Sequence, residues 1–326
     1  MWRKFKYSGI IIVILIVSFL SSCSPSNMVT KKGLYLGTFL TFSIDSAHSY
    51  VYSKVSKILN NIDKKFSRFN KESLVYRINN KKGEWVKVDK EFIDVLKFSI
   101  HMNEISYGAF NPILGEVESA WGFYDGNYRV PSEEELKELR NGTNIKNIMI
   151  DEERERVKII DGELDFGGLV KGYALDLIKN LLEKEKVKRC VVNLGGNILV
   201  FGDKKEGFKI GIRHPRESGI IAKIRIFSGT VATSGDYENY FIKDGVRYHH
   251  IIDPSTLKPA KSGVIEVTVI SEDGMLGDAL STTLFVLGIE KGEEFLKGKY
   301  PQVKAIIVDE GLNKHFINGA MDLTVP

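Results

Sequence analysis

Apolar residues recur along this chain with two periods, and stretches of each kind alternate. Val51, Val55, Ile58, Leu59, Ile62 and Phe66 keep helical spacing and predict an amphipathic helix from about Ser46 to Phe66. Asp89 stands where it can cap a second helix running to about Glu104. Ser132 with Glu135 forms a capping box before a third, short helix carrying Leu136 and Leu139. Ala174, Leu177, Ile178 and Leu181 predict the inner face of a helix over Lys171 to Leu182, and Leu276 to Leu287 and Glu290 to Lys297 predict two more. Runs predicted as strands lie between them: Leu34 to Ile44, Arg189 to Asn193, Ile198 to Phe201, Phe208 to Ile212, Ala222 to Phe227 and Val264 to Ile270, with two more closing the chain. Asn147 to Ile160 predicts two short strands around the charged turn Asp151 to Arg154. Lys243-Asp244-Gly245 turns a hairpin between Tyr240–Ile242 and Val246–Ile251. Strands and helices interleave without a tandem repeat, so the pattern predicts an α+β, or mixed α/β, body.

The first residues follow neither period. Arg3, Lys4 and Lys6 precede an apolar run from Ile10 to Leu20, short for a membrane span and suited to a signal segment over residues 1–22. Leu20-Ser21-Ser22-Cys23 then resembles the lipobox of bacterial lipoproteins. That resemblance implies a lipid (palmitate) on Cys23 and an extracytoplasmic place, anchored to a bacterial membrane on its periplasmic side; a plain secreted protein or a short uncleaved anchor is the alternative. Residues 23–32 are polar and predict a tether, leaving 33–326 as one domain. Composition changes this picture little. With 43% hydrophobic and 27% charged residues and a net charge of +4 without a basic block, it argues for a mixed surface and against a nucleic-acid stripe. Cys23 and Cys190 are the only cysteines; Cys190, in an apolar run, predicts a buried thiol, and no Cys/His metal set is available.

Four segments could carry chemistry. Asp278 and Thr282 lie one turn apart on a predicted helix, so their oxygens leave one face. A carboxylate and a hydroxyl suit Mg²⁺, although an Asp near a helix start also serves as a plain cap. Asp165-Phe166-Gly167-Gly168-Leu169-Val170-Lys171-Gly172-Tyr173 runs from strand to glycine pair to helix, where free N–H groups attract phosphate; a structural turn would look similar. Asn193-Leu194-Gly195-Gly196 is a second glycine pair, equally suited to a tight turn. His250 and Asp253 lie three apart ahead of Pro254. The imidazole suits a proton acceptor, and a structural histidine at a strand end is the alternative.

In order, these segments resemble the ApbE family of flavin transferases over nearly the whole length after the leader. The matching stretches are Leu36-Gly37-Thr38, Ser67-Arg68-Phe69 with Arg77-Ile78-Asn79, Gly108-Ala109-Phe110-Asn111-Pro112, Trp121-Gly122-Phe123, Asp165 to Tyr173, Asn193 to Gly196, Ala232 to Tyr237, His250 to Pro254 and Asp278 to Thr282. The resemblance implies an ApbE-like fold, a single catalytic body of two intimately joined lobes with an FAD cleft between them. It implies Mg²⁺ on Asp278, Thr282 and the Gly168 carbonyl; FAD contacts from Asp165 and Lys171; and a flavin or adenine wall of Leu36, Phe69, Ala109, Phe110, Asn111 and Ile252. His250, with Asp253, would serve transfer of FMN from FAD to a threonine of an acceptor protein, releasing AMP. Such acceptors include subunits of Nqr- and Rnf-type respiratory pumps. The chain departs from the family's usual residues with Leu36 for Met, Phe69 for Tyr, Asn111 for Asp and Leu257 for Gly. Two other outcomes stay open at this point: FAD hydrolysis to FMN and AMP, and flavin binding without turnover.

Overall fold

Alternation of buried and exposed positions builds one large sheet. The computed structural model describes Met28–Pro326; the signal segment and Cys23 lie outside the described residues. The sheet has eight strands: β1 Met28–Tyr35, β2 Thr38–Asp45, β3 Arg189–Leu194, β4 Asn197–Gly202, β5 Gly229–Gly235, β6 Val264–Ser271, β7 Lys304–Asp309 and β8 Lys314–Ile317. Their order across the sheet is their order in the chain, and every neighbouring pair is antiparallel. The sheet is therefore a meander, and its long insertions carry the helices.

The two-residue period divides the apolar side chains between two cores. On one face Leu199, Val267, Val269, Ala305 and Ile307 meet the helices; on the other Ile198, Val200, Val231, Ile270 and Ile306 meet a separate hairpin, Phe208–Arg213 with Ile220–Ile226. Strand β6 is buried at every position because both its faces are covered. The helical layer comprises α1 Val51–Phe66, α2 Lys90–Ile105, α3 Val170–Lys184 and α4 Gly274–Leu287. α4 packs on β5 and β6, α3 on α4, and α1 on α3. On α1, Val51, Val55, Leu59, Ile62 and Phe66 are all buried. Each such side chain stabilises the fold by roughly 1.5–3 kcal/mol. Cys190 is fully buried in β3, and burial raises its thiol well above the usual range.

The mixed α/β body and the predicted caps appear as expected: Asp89 accepts from Phe92 N–H and Ser132 from Glu135 N–H. Five details differ. Met28–Lys32, predicted as tether, are the first half of β1. The single strand predicted over Leu34 to Ile44 is a hairpin, because Leu36 and Gly37 take left-handed conformations (φ 51° and 72°). α1 starts at Val51, after a 3₁₀ turn over Ser46–His48, and the inner face of α3 uses Leu175 and Leu182 where Leu177 and Leu181 were expected. The hydroxyl-rich stretch Thr233-Ser234-Gly235, whose composition suits a Ser/Thr turn, instead ends the central strand β5. Its small polar residues hid it, since a strand whose neighbour is a closely packed helix has no room for large apolar side chains.

Candidate active site

The crossing of α3 and α4 sets the first half of the site. The two helices touch backbone to backbone: a Cβ on Gly172 would lie 2.0 Å from the Gly274 carbonyl oxygen and 2.7 Å from Asp278 Cβ. Glycine alone allows that approach. The Gly172 N–H thereby reaches Asp278 and donates to its Oδ2 at 2.9 Å. Asp176, from the next turn of α3, accepts from the N–H groups of Gly274 and Met275 at 2.7 and 2.8 Å and so caps α4. Burial, with Asp273 adding, pushes the Asp176 carboxyl up to about 6 against those two N–H groups. Asp278 itself is 2% exposed. Its Oδ1 lies 4.0 Å from Lys171 Nζ, which also donates to the Gly167 carbonyl at 3.2 Å. One turn along α4, the Thr282 hydroxyl lies 3.4 Å from Ser234 Oγ and 3.5 Å from where a Cβ on Gly168 would be. Gly168 thus lies beside Thr282, one turn of α4 from Asp278.

The loop that presents Gly168 is braced from four directions. Asn79 exchanges two hydrogen bonds with the Leu164 backbone (2.9 and 3.0 Å). Asp165 N–H donates to the Pro112 carbonyl at 2.8 Å, and Gly115 N–H to that of Glu163 at 3.0 Å. Arg68, just past the C-terminus of α1, is buried among Glu163 (2.7 Å), Glu118 (3.2 Å) and Asp165 (3.3 Å), and also donates to the Gly115 carbonyl at 2.7 Å. One guanidinium cannot offset three carboxylates. Burial and the neighbouring Asp165 push Glu118 well above the usual carboxylate range, with Arg68 opposing. Asp165 in turn accepts from Gly167 N–H at 2.5 Å, fixing the glycine pair. The family motifs around Arg68, Asn79 and Pro112 therefore meet at one loop.

His250 sets the second half. It follows the hairpin Tyr240–Lys243 with Val246–His249, and its N–H and Nδ1 both face the Asn239 carbonyl, at 3.0 and 3.2 Å. A carbonyl only accepts, so Nδ1 carries the hydrogen and Nε2 keeps its lone pair. Burial, with the charge of His249 and Lys171, pushes the imidazole down to about 4, so it is neutral near pH 7. Glu238 joins the same field. Glu238 is exposed to solvent. Burial and Asp278 push it up to about 7, with Lys171 and Arg213 opposing. Asp165, Lys171, Asp278, Glu238 and His250 thus act on one another electrostatically.

Other predicted residues are placed variously. Leu36 is half-buried at the turn between β1 and β2. Phe69 is largely exposed and stacks on Tyr124 at 4.7 Å between ring centroids. Ala109 and Phe110 are buried, and the Phe110 ring lies 3.2 Å from a Cβ built on Gly168. Asn111 uses its amide within the protein, accepting from Ile113 N–H at 3.0 Å and donating to the Thr143 carbonyl at 2.9 Å. Ile252 is buried in a cluster with Trp121 and Leu257. Asp253 forms no hydrogen bond or ion pair with His250. It accepts from Ser255 N–H and Oγ at 2.8 and 2.7 Å and shapes a turn. Leu257 ends that turn with φ 61°, a conformation that favours glycine, and its carbonyl accepts from Trp121 Nε1 at 2.9 Å. Arg68 and Glu238 are the residues that reading the sequence left without a role. Arg68 lies in the Ser67-Arg68-Phe69 motif, whereas Glu238 carried no local signal.

Comparison with known proteins agrees with this geometry. Residues 36–307 match the ApbE family. The FAD:protein FMN transferase of Vibrio cholerae is 29% identical over 310 residues, 91% of this chain and 93% of that one. The FAD:protein FMN transferase of Treponema pallidum is 34% identical over 247 residues, 68% of this chain and 67% of that one. The crystal structure of the ApbE protein from Thermotoga maritima superposes with a TM-score of 0.85 at 35% identity, covering 92% of this chain and all (100%) of that one. With a family match over residues 36–307, well over half of its length, this chain belongs to the ApbE family.

Proposed function

We propose that the chain is a FAD:protein FMN transferase that moves the FMN half of FAD to a threonine hydroxyl of an acceptor protein, with AMP as the leaving group. The observation that carries this reading is a buried Asp278 one helical turn from Thr282, with Gly168 beside Thr282, together with a neutral imidazole on His250 whose Nε2 has no hydrogen-bond partner among the described residues. The names of the relatives support it.

The oxygen set fits Mg²⁺. Asp278 is buried, one of its oxygens is held by Gly172 N–H, and the other accepts no hydrogen bond among the described residues. Among those residues no three His, Cys, Asp or Glu side chains gather into a metal cage, and Mg²⁺ commonly completes its shell with substrate phosphate and water. Asp278, Thr282 and the Gly168 carbonyl would hold the ion, which when bound supplies charge neutralisation on the diphosphate. Lys171 adds a positive charge beside Asp278, and the braced Gly167-Gly168 turn keeps the backbone close to the phosphates. His250 Nε2 accepts the hydroxyl proton as the acceptor oxygen bonds to the FMN-side phosphorus. The diphosphate bridge then breaks and AMP leaves with the bridging oxygen. A base so placed contributes about 10²–10⁴-fold.

Incubating the full chain with FAD, Mg²⁺ and an acceptor domain tests this. A covalent flavin on one acceptor threonine together with AMP is the expected result; free FMN and AMP alone would mean hydrolysis, and no AMP would mean binding only. The leader supports a place outside the cytoplasmic membrane with lipid on Cys23, where flavin-bearing domains of Nqr- or Rnf-type pumps are the matching acceptors. Palmitate labelling that disappears in Cys23→Ser checks the anchor.

A further inference from the structure

The hairpin Phe208–Arg213 with Ile220–Ile226 has a second use beyond covering the far face of the sheet. Its tip, residues 214–219, carries Arg216, whose Nη1 and Nη2 donate to Asp236 Oδ1 and Oδ2, both at 2.7 Å. The Asp236 carboxylate is 8% exposed. The tip is itself ordered: His214 Nδ1 accepts from the N–H groups of Arg216 and Glu217, and His214 N–H donates to the Gly219 carbonyl. Asp236 opens a four-residue segment that ends at Asn239. Within it, Asp236 N–H donates to the Ile265 carbonyl at 3.1 Å and Tyr237 Oη to Glu266 at 2.6 Å. At its end the Asn239 side chain accepts from Tyr128 Oη at 2.8 Å, and the Asn239 carbonyl receives both the N–H and Nδ1–H of His250. Among the described residues no carboxylate hydrogen-bonds to His250, so its tautomer depends on where one carbonyl is held.

We infer that Arg216 is a positioning residue for His250: its two-pronged grip on Asp236 fixes the segment 236–239 and so the Asn239 carbonyl that selects the Nδ1–H imidazole. A forked guanidinium fixes both the distance and the rotation of a carboxylate, whereas an ammonium fixes distance alone. The role of His250 in transfer rests on the function proposed above; the tautomer claim does not.

The test is ¹⁵N NMR of histidine-labelled full-length chain, with the His250 signal picked out among six histidines by its loss in His250→Asn. The wild type is expected to hold the proton on Nδ1. Arg216→Ala is expected to give a mixture of tautomers, a kcat for transfer lower by about tenfold, and a KM for FAD within about twofold of wild type. Arg216→Lys, which keeps the charge and spares the fold, is expected to fall between, and Tyr128→Phe to show a smaller shift. A wild-type His250 spectrum in Arg216→Lys, with Arg216→Ala either equally unchanged or unfolded, overturns the inference. A shifted tautomer in a protein that never transfers FMN would sink the transferase reading and leave the positioning role standing.

Discussion

The two halves of the candidate site are built differently. The oxygen set sits where α3 and α4 touch through Gly172 and Gly274, inside the main core, and its geometry is fixed by close packing. His250 sits at the end of a two-stranded hairpin outside the large sheet, hydrogen-bonded to the Asn239 carbonyl, while Tyr128 bonds the Asn239 side chain and Arg216 bonds Asp236. Packing is stiff and collective, so the binding half is prepared before substrate arrives. Hydrogen bonds are individually worth about 0.5–1.5 kcal/mol and can be cut one at a time. The chemical half is therefore the adjustable one, and mutations in the two halves should separate binding from rate.

The largest effect belongs to Asp278. Asp278→Ala removes an oxygen ligand and the acceptor of Gly172 N–H, so flavin labelling of an acceptor domain should fall below detection and the FAD- and Mg²⁺-dependent rise in melting temperature should vanish. A retained thermal shift would break the division of labour described above. His250→Asn should cut the labelling rate by about 10²–10³-fold while leaving that thermal shift in place; equal loss of both would erase the comparison. Gly172→Ala forces the helices apart and should cost about 1–3 kcal/mol in denaturant unfolding, with weaker FAD binding as its functional trace.

The smallest effect is electrostatic. His250 is held down at about 4 from an ordinary 6.5, so between those values the unfolded chain binds the proton that the folded chain refuses. Stability should therefore fall as pH drops from 6.5 to 4 and level off below. Glu238, pushed up to about 7 from 4.5, acts in the opposite sense: stability is lost as pH rises through 4.5 to 7. Melting curves of His250→Gln should show a shallower acid-side decline than wild type, though not a flat one, because His249 is also lowered by burial. An unchanged acid limb would mean that His250 is not held neutral.

Much of this was legible in the chain. α1 declared itself because its apolar residues keep a strict helical period, and Asp89 and Ser132 because a cap needs only local geometry. The pairing of Asp278 with Thr282 was legible for the same reason: one turn of helix is a fixed distance. Strand β5 was hidden because it packs small polar residues against α4, and the hairpin at Leu36 because a non-glycine residue takes a left-handed conformation there. Asp253 looked like a partner for His250 by spacing alone, but the chain turns between them and the carboxylate closes a local loop.

The sequence by itself determined the elements, their caps, the oxygen pair on α4 and the family, since all of these depend on neighbours a few residues apart or on ordered motifs. Tertiary structure decided what crosses long separations: Arg68 gathering Glu118, Glu163 and Asp165, Glu238 facing Asp278, and Arg216 reaching Asp236. Charge and hydrogen bonding act through space and not along the chain, so their partners are fixed only once the sheet has brought distant segments together.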